Sequence, residues 1–486
     1  MMLILLVLAC AAIGIPLLAL WGDGRRGAAL FIGFNTLTLL AILALAVQVL
    51  RDGAFTIDGG QFMVDDLSIV LVLVDGVVAL STAWFSRSYM AQEIVHWSLS
   101  RRRVRLYHAM FQTFLTTMLL ALLTNNMGIL WVAMEGATLS TVLLVSLFRT
   151  AEGLEAAWKY FILCGVGLAM ALFGTILLYF AAQKVLGHGA DALLWTHLEA
   201  VRGQLQPQVM AIAFIFMLVG YGTKIGLSPL NNWLPDAHAS GPSSVSAVLS
   251  GLLLNVALYA VLRAKVLVDG ALGPDFAGRL LMGFGLLSLL VAAFSMLRQR
   301  DVKRLFAYSS IEHMGLATFA FGIGAPLASF AGLLHMISHS LTKSSVFFSV
   351  GQAVQSVGSR EIQRIRGLLE LSPLLGWALM LAVLFILGMP PSGLFLSEFL
   401  IVASTLQVQP WLTPLLLLGL GVAFAGIFPR LQGMVFGSAP EGIARQPVSG
   451  IIPVFIQLAL IIVLGTFIPW MLVQWMQHAA LLLLHG

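Results

Sequence analysis

Apolar stretches long enough to cross a bilayer recur along this whole chain, and that leaves few folds open to it. About twenty consecutive apolar residues make a helix that spans the hydrocarbon layer. Such runs fall near 2–21, 27–50, 64–86, 105–124, 127–148, 160–182, 208–229, 243–264, 278–297, 304–323, 327–350, 373–403, 410–436 and 450–472. The longest intervals between them, around 183–207 and 351–372, hold only about 20 residues, too few for a soluble domain. Just 10% of the residues are charged and 59% are hydrophobic, whereas a soluble domain carries roughly 25% charge. Most of the surface therefore faces lipid. The expectation is an all-α polytopic membrane protein of about 14 transmembrane helices. The first run has no basic flank before it and is followed by Arg25 and Arg26, which favours a retained helix over a cleaved signal peptide.

The basic residues orient these helices. Eighteen of the 26 Lys and Arg lie in loops after odd-numbered runs, among them Arg101, Arg102, Arg103, Lys159, Arg298, Arg300, Arg360 and Arg445. Six, including Arg263 and Lys265, lie after even-numbered runs, and Lys224 and Lys343 lie within runs. Positive charge stays on the cytoplasmic side, so both termini are expected on the opposite side. The net charge of +5 comes from these loops and points to membrane orientation, not nucleic-acid binding. Cys10 and Cys164 are far apart and form no CxxC pair. An iron–sulfur or zinc-ribbon site is therefore not expected.

Against this background, ionisable groups inside spans are conspicuous, since each costs at least about 2.5–3.5 kcal/mol to insert. Glu135 lies in run 5, Lys224 deep in run 7, His313 in run 10 and Glu398 in run 12. Asp65, Asp66 and Asp75 belong to run 3. His335, His339 and Lys343 follow one another at i, i+4 and i+8 in run 11, which puts them on one helix face over about 12 Å. Imidazole exchanges protons near neutral pH, and burial weakens a lysine's hold on its proton, so this line suits a proton relay. Glu135 and Lys224 have opposite sign and could pair. Each of these groups also has a plainer reading. The Glu–Lys pair could be structural, and either histidine could bond a helix carbonyl. Asp75 could line a helix contact through water, and Asp65 and Asp66 could be interface residues. His335 and His339 could ligate zinc, but no third ligand is nearby in sequence, and no metal is expected.

Two runs are broken. Run 7 reaches Pro229 and then NNWLPDAHASGP; run 12 contains Gly388, Pro390, Pro391 and Gly393. Proline removes a backbone donor and glycine permits the bend. Backbone freed at membrane depth must face protein or water. Two interruptions five helices apart fit a transporter of two repeats, although lipid-adapted kinks remain open. The division expected is residues 1–104 for the first three helices, 105–264 and 265–436 for two five-helix repeats, and 437–486 for one last helix.

The segments FMVDDLS (62–68), WVAMEGATL (131–139), AAWKYFILCG (156–165), GTKIGLSPLNNWLPDAHASGPSSVSAVLSG (222–251), DVKRLFAYSSIEHMG (301–315), HMISHSLTKSSVFFSVG (335–351) and GMPPSGLFLSEF (388–399) carry a resemblance. The chain resembles the antiporter-like membrane subunits of respiratory complex I, of multisubunit cation/proton antiporters and of group 4 membrane-bound hydrogenases. Within that family it looks most similar to the F component of hydrogenase-4 and formate hydrogenlyase complexes.

The resemblance implies two inverted five-helix repeats with broken helices 7 and 12. It implies ion-translocation roles for Glu135, Lys224, His238, His335, His339, Lys343 and Glu398; His313 joins them as an ionisable group within a span, and Asp65, Asp75 and Lys159 are supporting candidates. Asn255 departs from the family, which commonly has a lysine or histidine there; an amide can order water but carries no proton charge. The function implied is movement of H⁺ or Na⁺ as part of a redox-driven complex in a bacterial or archaeal cytoplasmic membrane. The nickel–iron centre and iron–sulfur clusters would be in partner subunits, and no cofactor is expected in this chain, which has no GxGxxG or GxxxxGK[ST] motif. A sodium/proton antiporter subunit without redox partners, and a membrane anchor that moves nothing, are the two alternatives.

Overall fold

A computed structural model describes residues 2–439 and 450–485; Arg445, counted above among the basic loop residues, lies outside them. The N-terminal part runs α1 (Met2–Trp21), α2 (Gly24–Asp52), an antiparallel hairpin of β1 (Phe55–Ile57) and β2 (Phe62–Val64), α3 (Asp66–His96), α4 (Arg101–Leu123), α5 (Met127–Val145) and α6 (Ala151–Leu186). The middle holds α7 (Trp195–Ala200), α8 (Pro207–Ile225), α9 (Trp233–Ser240), α10 (Ser243–Val248), α11 (Leu254–Leu272), α12 (Pro274–Met296) and α13 (Val302–Gly322). The remainder is α14 (Pro326–Val357), α15 (Leu368–Leu371), α16 (Pro373–Ile386), α17 (Gly393–Val408), α18 (Thr413–Phe436), α19 (Ile452–Thr466) and α20 (Trp470–His485). A π-helical segment, Leu249–Leu253, joins α10 to α11 in one run.

Each of the expected apolar runs is helical, and the chain is a polytopic membrane protein. Ten of the described helices are long and apolar enough to cross a bilayer on length and composition, or eleven if the bent pair α19–α20 counts as one. That test does not reach fourteen, and the reason is physical. The helices α13 and α14 are almost wholly buried, so no lipid-facing side forces them to be apolar and they can carry polar residues. The pair α16 and α17 consists of two short apolar halves.

The long α14 runs through the middle of the molecule, packed on α3, α10, α13, α16, α17, α19 and α20. Helices α12 and α13 meet along a glycine seam. A Cβ on Gly285 would lie 2.6 Å from Gly315 O, and one on Gly315 would lie 2.7 Å from Gly285 O. Such close backbone approach is how helices associate without a hydrophobic driving force between them.

Three boundaries differ from the sequence reading. Lys159 is not in a loop; α6 begins eight residues earlier, at Ala151, capped by Thr150. Arg263 and Lys265 are buried inside α11. The last segment is two helices meeting at 69°, not one. The second, α20, returns to the bundle, where Lys265 donates to Leu483 O at 3.1 Å and His478 meets Asp66 at 3.1 Å.

Candidate functional site

Both broken helices open the same way. The first half ends on a glycine with positive φ, Gly226 (82°) after α8 and Gly388 (64°) after α16, a conformation that only glycine adopts without strain. Proline follows within three residues in each case, with cis Ser228–Pro229 and Pro390–Pro391 bonds. Lys224 sits in the last turn of α8 and Glu398 in the second turn of α17, so each break places one ionisable side chain beside irregular backbone. At Gly388 the fit is close: a Cβ there would stand 2.1 Å from Glu398 Oε2.

Lys224 makes its hydrogen bond to a residue that the sequence reading did not single out. No ion pair joins it to Glu135 among the described residues. Its Nζ donates instead to Tyr160 Oη at 3.1 Å and lies 4.9 Å from the Tyr160 ring. Thr141 Oγ1 uses its hydrogen on Ala137 O at 2.6 Å, so at 2.7 Å it accepts from Tyr160. A directed chain therefore runs Lys224 to Tyr160 to Thr141. Glu135 is half-buried, and its Oε2 has no hydrogen-bond partner. Tyr160 was in plain view beside Lys159, but a tyrosine in a span carries no charge to draw notice.

A second cluster lies along α14, where His335, His339 and Lys343 are all fully buried. His313 Nδ1 is 3.2 Å from His335 Nε2 and 3.8 Å from Glu398 Oε1. The His339 ring stands 5.6 Å from that of His313 and 6.5 Å from that of His335, with both its nitrogens unpartnered. One turn on, Lys343 donates to Phe306 O at 3.0 Å. One further turn along the same face, Phe347 stacks on His238 at 4.9 Å. The expected trio thus gains His313, Glu398 and His238 from three other elements. Glu312, buried and 3.3 Å from His313 Nε2, was missed, although an acidic residue inside run 10 meets the same criterion that picked out His313.

The two clusters are not joined by any hydrogen bond among the described residues. Asn255 lies on the α11–α14 contact, giving its amide nitrogen to Met336 O at 3.0 Å and Ser340 Oγ at 2.6 Å and leaving its Oδ1 buried and unpartnered. Ser250 and Ser310 meet at 2.8 Å, and Ser310 shares the Phe306 carbonyl with Lys343.

The supporting candidates separate. Asp65 caps α3 by accepting from Ser68 N at 2.9 Å and also pairs with Arg263 at 2.7 Å. Arg263 is in turn flanked by Trp195 and Tyr259 at 4.4 and 4.9 Å, a desolvated cation between aromatic faces. This is structural tying of α3 to α11. Lys159 is exposed and pairs with Glu155 and Asp236. Asp75 is buried with Oδ2 unpartnered. A cavity of about 520 Å³ opens beside Glu93, His96, Lys303, Gly241 and Arg360, on the face of the basic loops. Lys303 there is buried and bonded to Gly241 O at 2.6 Å.

Known proteins can now be set beside this geometry. A family model described as NADH:quinone oxidoreductase/Mrp antiporter, TM, matches residues 124–424. A protein of Methylacidiphilum infernorum named hydrogenase-4 component F homolog is 47% identical over 97% of this chain and 98% of its own length. Two solved structures share the fold. One is a chain of the membrane-bound sulfane sulfur reductase, an archaeal respiratory membrane complex, with TM-score 0.89 and 24% identity over 100% of this chain and 98% of that one. The other is a chain of the Mrp complex from Dietzia sp. DQ12-45-1b, with TM-score 0.85 and 17% identity over 99% and 97%. With broken helices, a buried polar file and matches of this extent, the chain belongs to the NADH:quinone oxidoreductase/Mrp antiporter transmembrane family.

Proposed function

We propose that this chain moves protons through the membrane as one subunit of a redox-driven complex of the group 4 nickel–iron hydrogenase type. The observation that carries the reading is the file of ionisable groups along α14 and at its junction with α13 and α17. Glu398, His313, His335, His339 and Lys343 follow one another inside the protein, with separations of 3.2 and 3.8 Å at the His313 end and single helical turns thereafter. Ionisable groups are expensive at this depth unless they face one another or water, and a line of them has no evident structural purpose. The hydrogenase assignment is supported by the extent of the likeness to the Methylacidiphilum protein.

In this reading ions enter by Glu135 and Lys224, pass along α14, and leave near Glu398, with both termini on the non-cytoplasmic side. Each protonation alters the field at the next site, so coupling is electrostatic. The redox metals are held by partner subunits, and this chain contributes the path. The stretch between Lys224 and Lys343 is the step that needs water, near Ser250, Ser310 and the free Oδ1 of Asn255.

That unbridged stretch also favours a second reading, in which the chain anchors redox subunits and moves nothing. Lys224→Met and Lys343→Met, each introduced into the assembled complex, separate the two. Proton movement into inverted vesicles during turnover should fall to background in both variants while the complex stays intact. Undiminished coupled movement in both would establish the anchor.

A further inference from the structure

Three nitrogen and oxygen atoms converge at the α13–α14–α17 junction, and the hydrogen bonds around them suit one tautomer of each ring. His313 Nε2 is 3.0 Å from Ile386 O. A carbonyl can only accept, so Nε2 carries the hydrogen and Nδ1 of the neutral ring does not. Ser397 Oγ is placed to give its hydrogen to Leu394 O at 2.9 Å and to accept from His335 Nδ1 at 3.0 Å; in that tautomer His335 Nε2 is bare. His313 Nδ1 and His335 Nε2 then face each other at 3.2 Å, with Glu398 Oε1 3.8 Å from the first and Glu312 Oε2 3.3 Å from His313 Nε2. In these tautomers, assigned from the bonding network, the junction offers converging lone pairs to a cation.

A transition-metal ion satisfies this arrangement. Zinc bonds imidazole nitrogen at about 2.0–2.1 Å in tetrahedral geometry, which sets two ligand nitrogens roughly 3.3–3.4 Å apart; the pair here is at 3.2 Å. One donor atom from each of His313, His335 and Glu398 lies within 4.8 Å of the others, so the carboxylate needs only a small inward shift. Two histidines and a glutamate form an established zinc donor set. Metal-bound histidines also use their second ring N–H on a carbonyl, carboxylate or similar acceptor, and both rings here already do so, through Ile386 O and Ser397 Oγ. His339, buried with both nitrogens unpartnered beside the cluster, is a candidate fourth ligand, with water as the other.

We propose that His313, His335 and Glu398 form a binding site for one divalent zinc-class ion at the helix break. The site stands on its own donor geometry. If the chain moves protons, an ion held there occupies the lone pairs a proton would use and stalls the path; that consequence alone rests on the translocation reading.

The test is Co²⁺ binding to the untagged full-length chain in detergent, read by the visible ligand-field bands of a four-coordinate site. One Co²⁺ per chain should bind and be displaced by Zn²⁺. Glu398→Gln and His335→Gln should each remove the bands. Ser397→Ala keeps every ligand and should weaken binding about 10- to 100-fold by releasing the orientation of His335. His478→Gln, at the exposed His478–Asp66 contact, should leave the bands unchanged. Melting of the metal-free variants checks that each is folded. Bands that persist in both ligand variants, bands lost in His478→Gln, or the absence of four-coordinate Co²⁺ in the unaltered chain would overturn the site.

Discussion

A single buried pair illustrates how an ionisable residue inside this protein can be structural. Arg263 and Asp65 are held 2.7 Å apart away from solvent, and the guanidinium lies between two aromatic rings. Removing one partner of such a pair strands the other charge, at about 3–5 kcal/mol. Arg263→Met should therefore lower the thermal stability of the detergent-solubilised chain sharply, and adding Asp65→Asn should restore much of it. A double variant no more stable than Arg263→Met would mean that the arginine acts mainly through its aromatic contacts. From the sequence, Asp65 stood as a supporting member of an ion path and Arg263 as a loop residue. Nothing local to either residue shows that a side chain 198 positions away completes the pair. The line His335, His339 and Lys343 was legible, because i, i+4 spacing puts residues on one face whatever the surroundings.

Elements are held together here by backbone proximity as much as by side chains. On α12, a Cβ at Gly285 would lie 2.5 Å from Phe319 N, whereas at Gly283, two residues before, nothing lies within 4 Å. Gly285→Val should force α12 from α13 and destabilise the chain by about 1–3 kcal/mol or more; Gly283→Val should be tolerated. Equal melting temperatures for the two variants would contradict the seam. The breaks after α8 and α16 were readable from Gly and Pro, since those residues act on their own backbone. The break after α19 was not: Phe467–Pro469 interrupts the helix, yet one proline near a chain end gave no reason to expect a second helix. What holds α20 is tertiary contact, through Leu483 O and His478.

For the molecule as a whole, the distribution of lysine and arginine predicts sidedness. Single cysteines placed at His188 and Arg300, both exposed, in a chain whose Cys10 and Cys164 are replaced, should label from opposite sides of intact cells. An impermeant thiol reagent outside should reach position 188 and not position 300; labelling of both from one side would refute the orientation. Hydrophobicity and charge act residue by residue on insertion, so the membrane class, the approximate run of helices and the alignment of His335, His339 and Lys343 on one face of α14 could all be read in one dimension. Which ionisable groups meet could not. Lys224 bonds Tyr160 and makes no ion pair with Glu135 among the described residues, His313 meets His335 and Glu398, and Asp65 meets Arg263, because partners at hydrogen-bond distance come from different helices. Those distances are set by how the bundle packs around α14, and periodicity along one helix carries no information about what stands opposite its face.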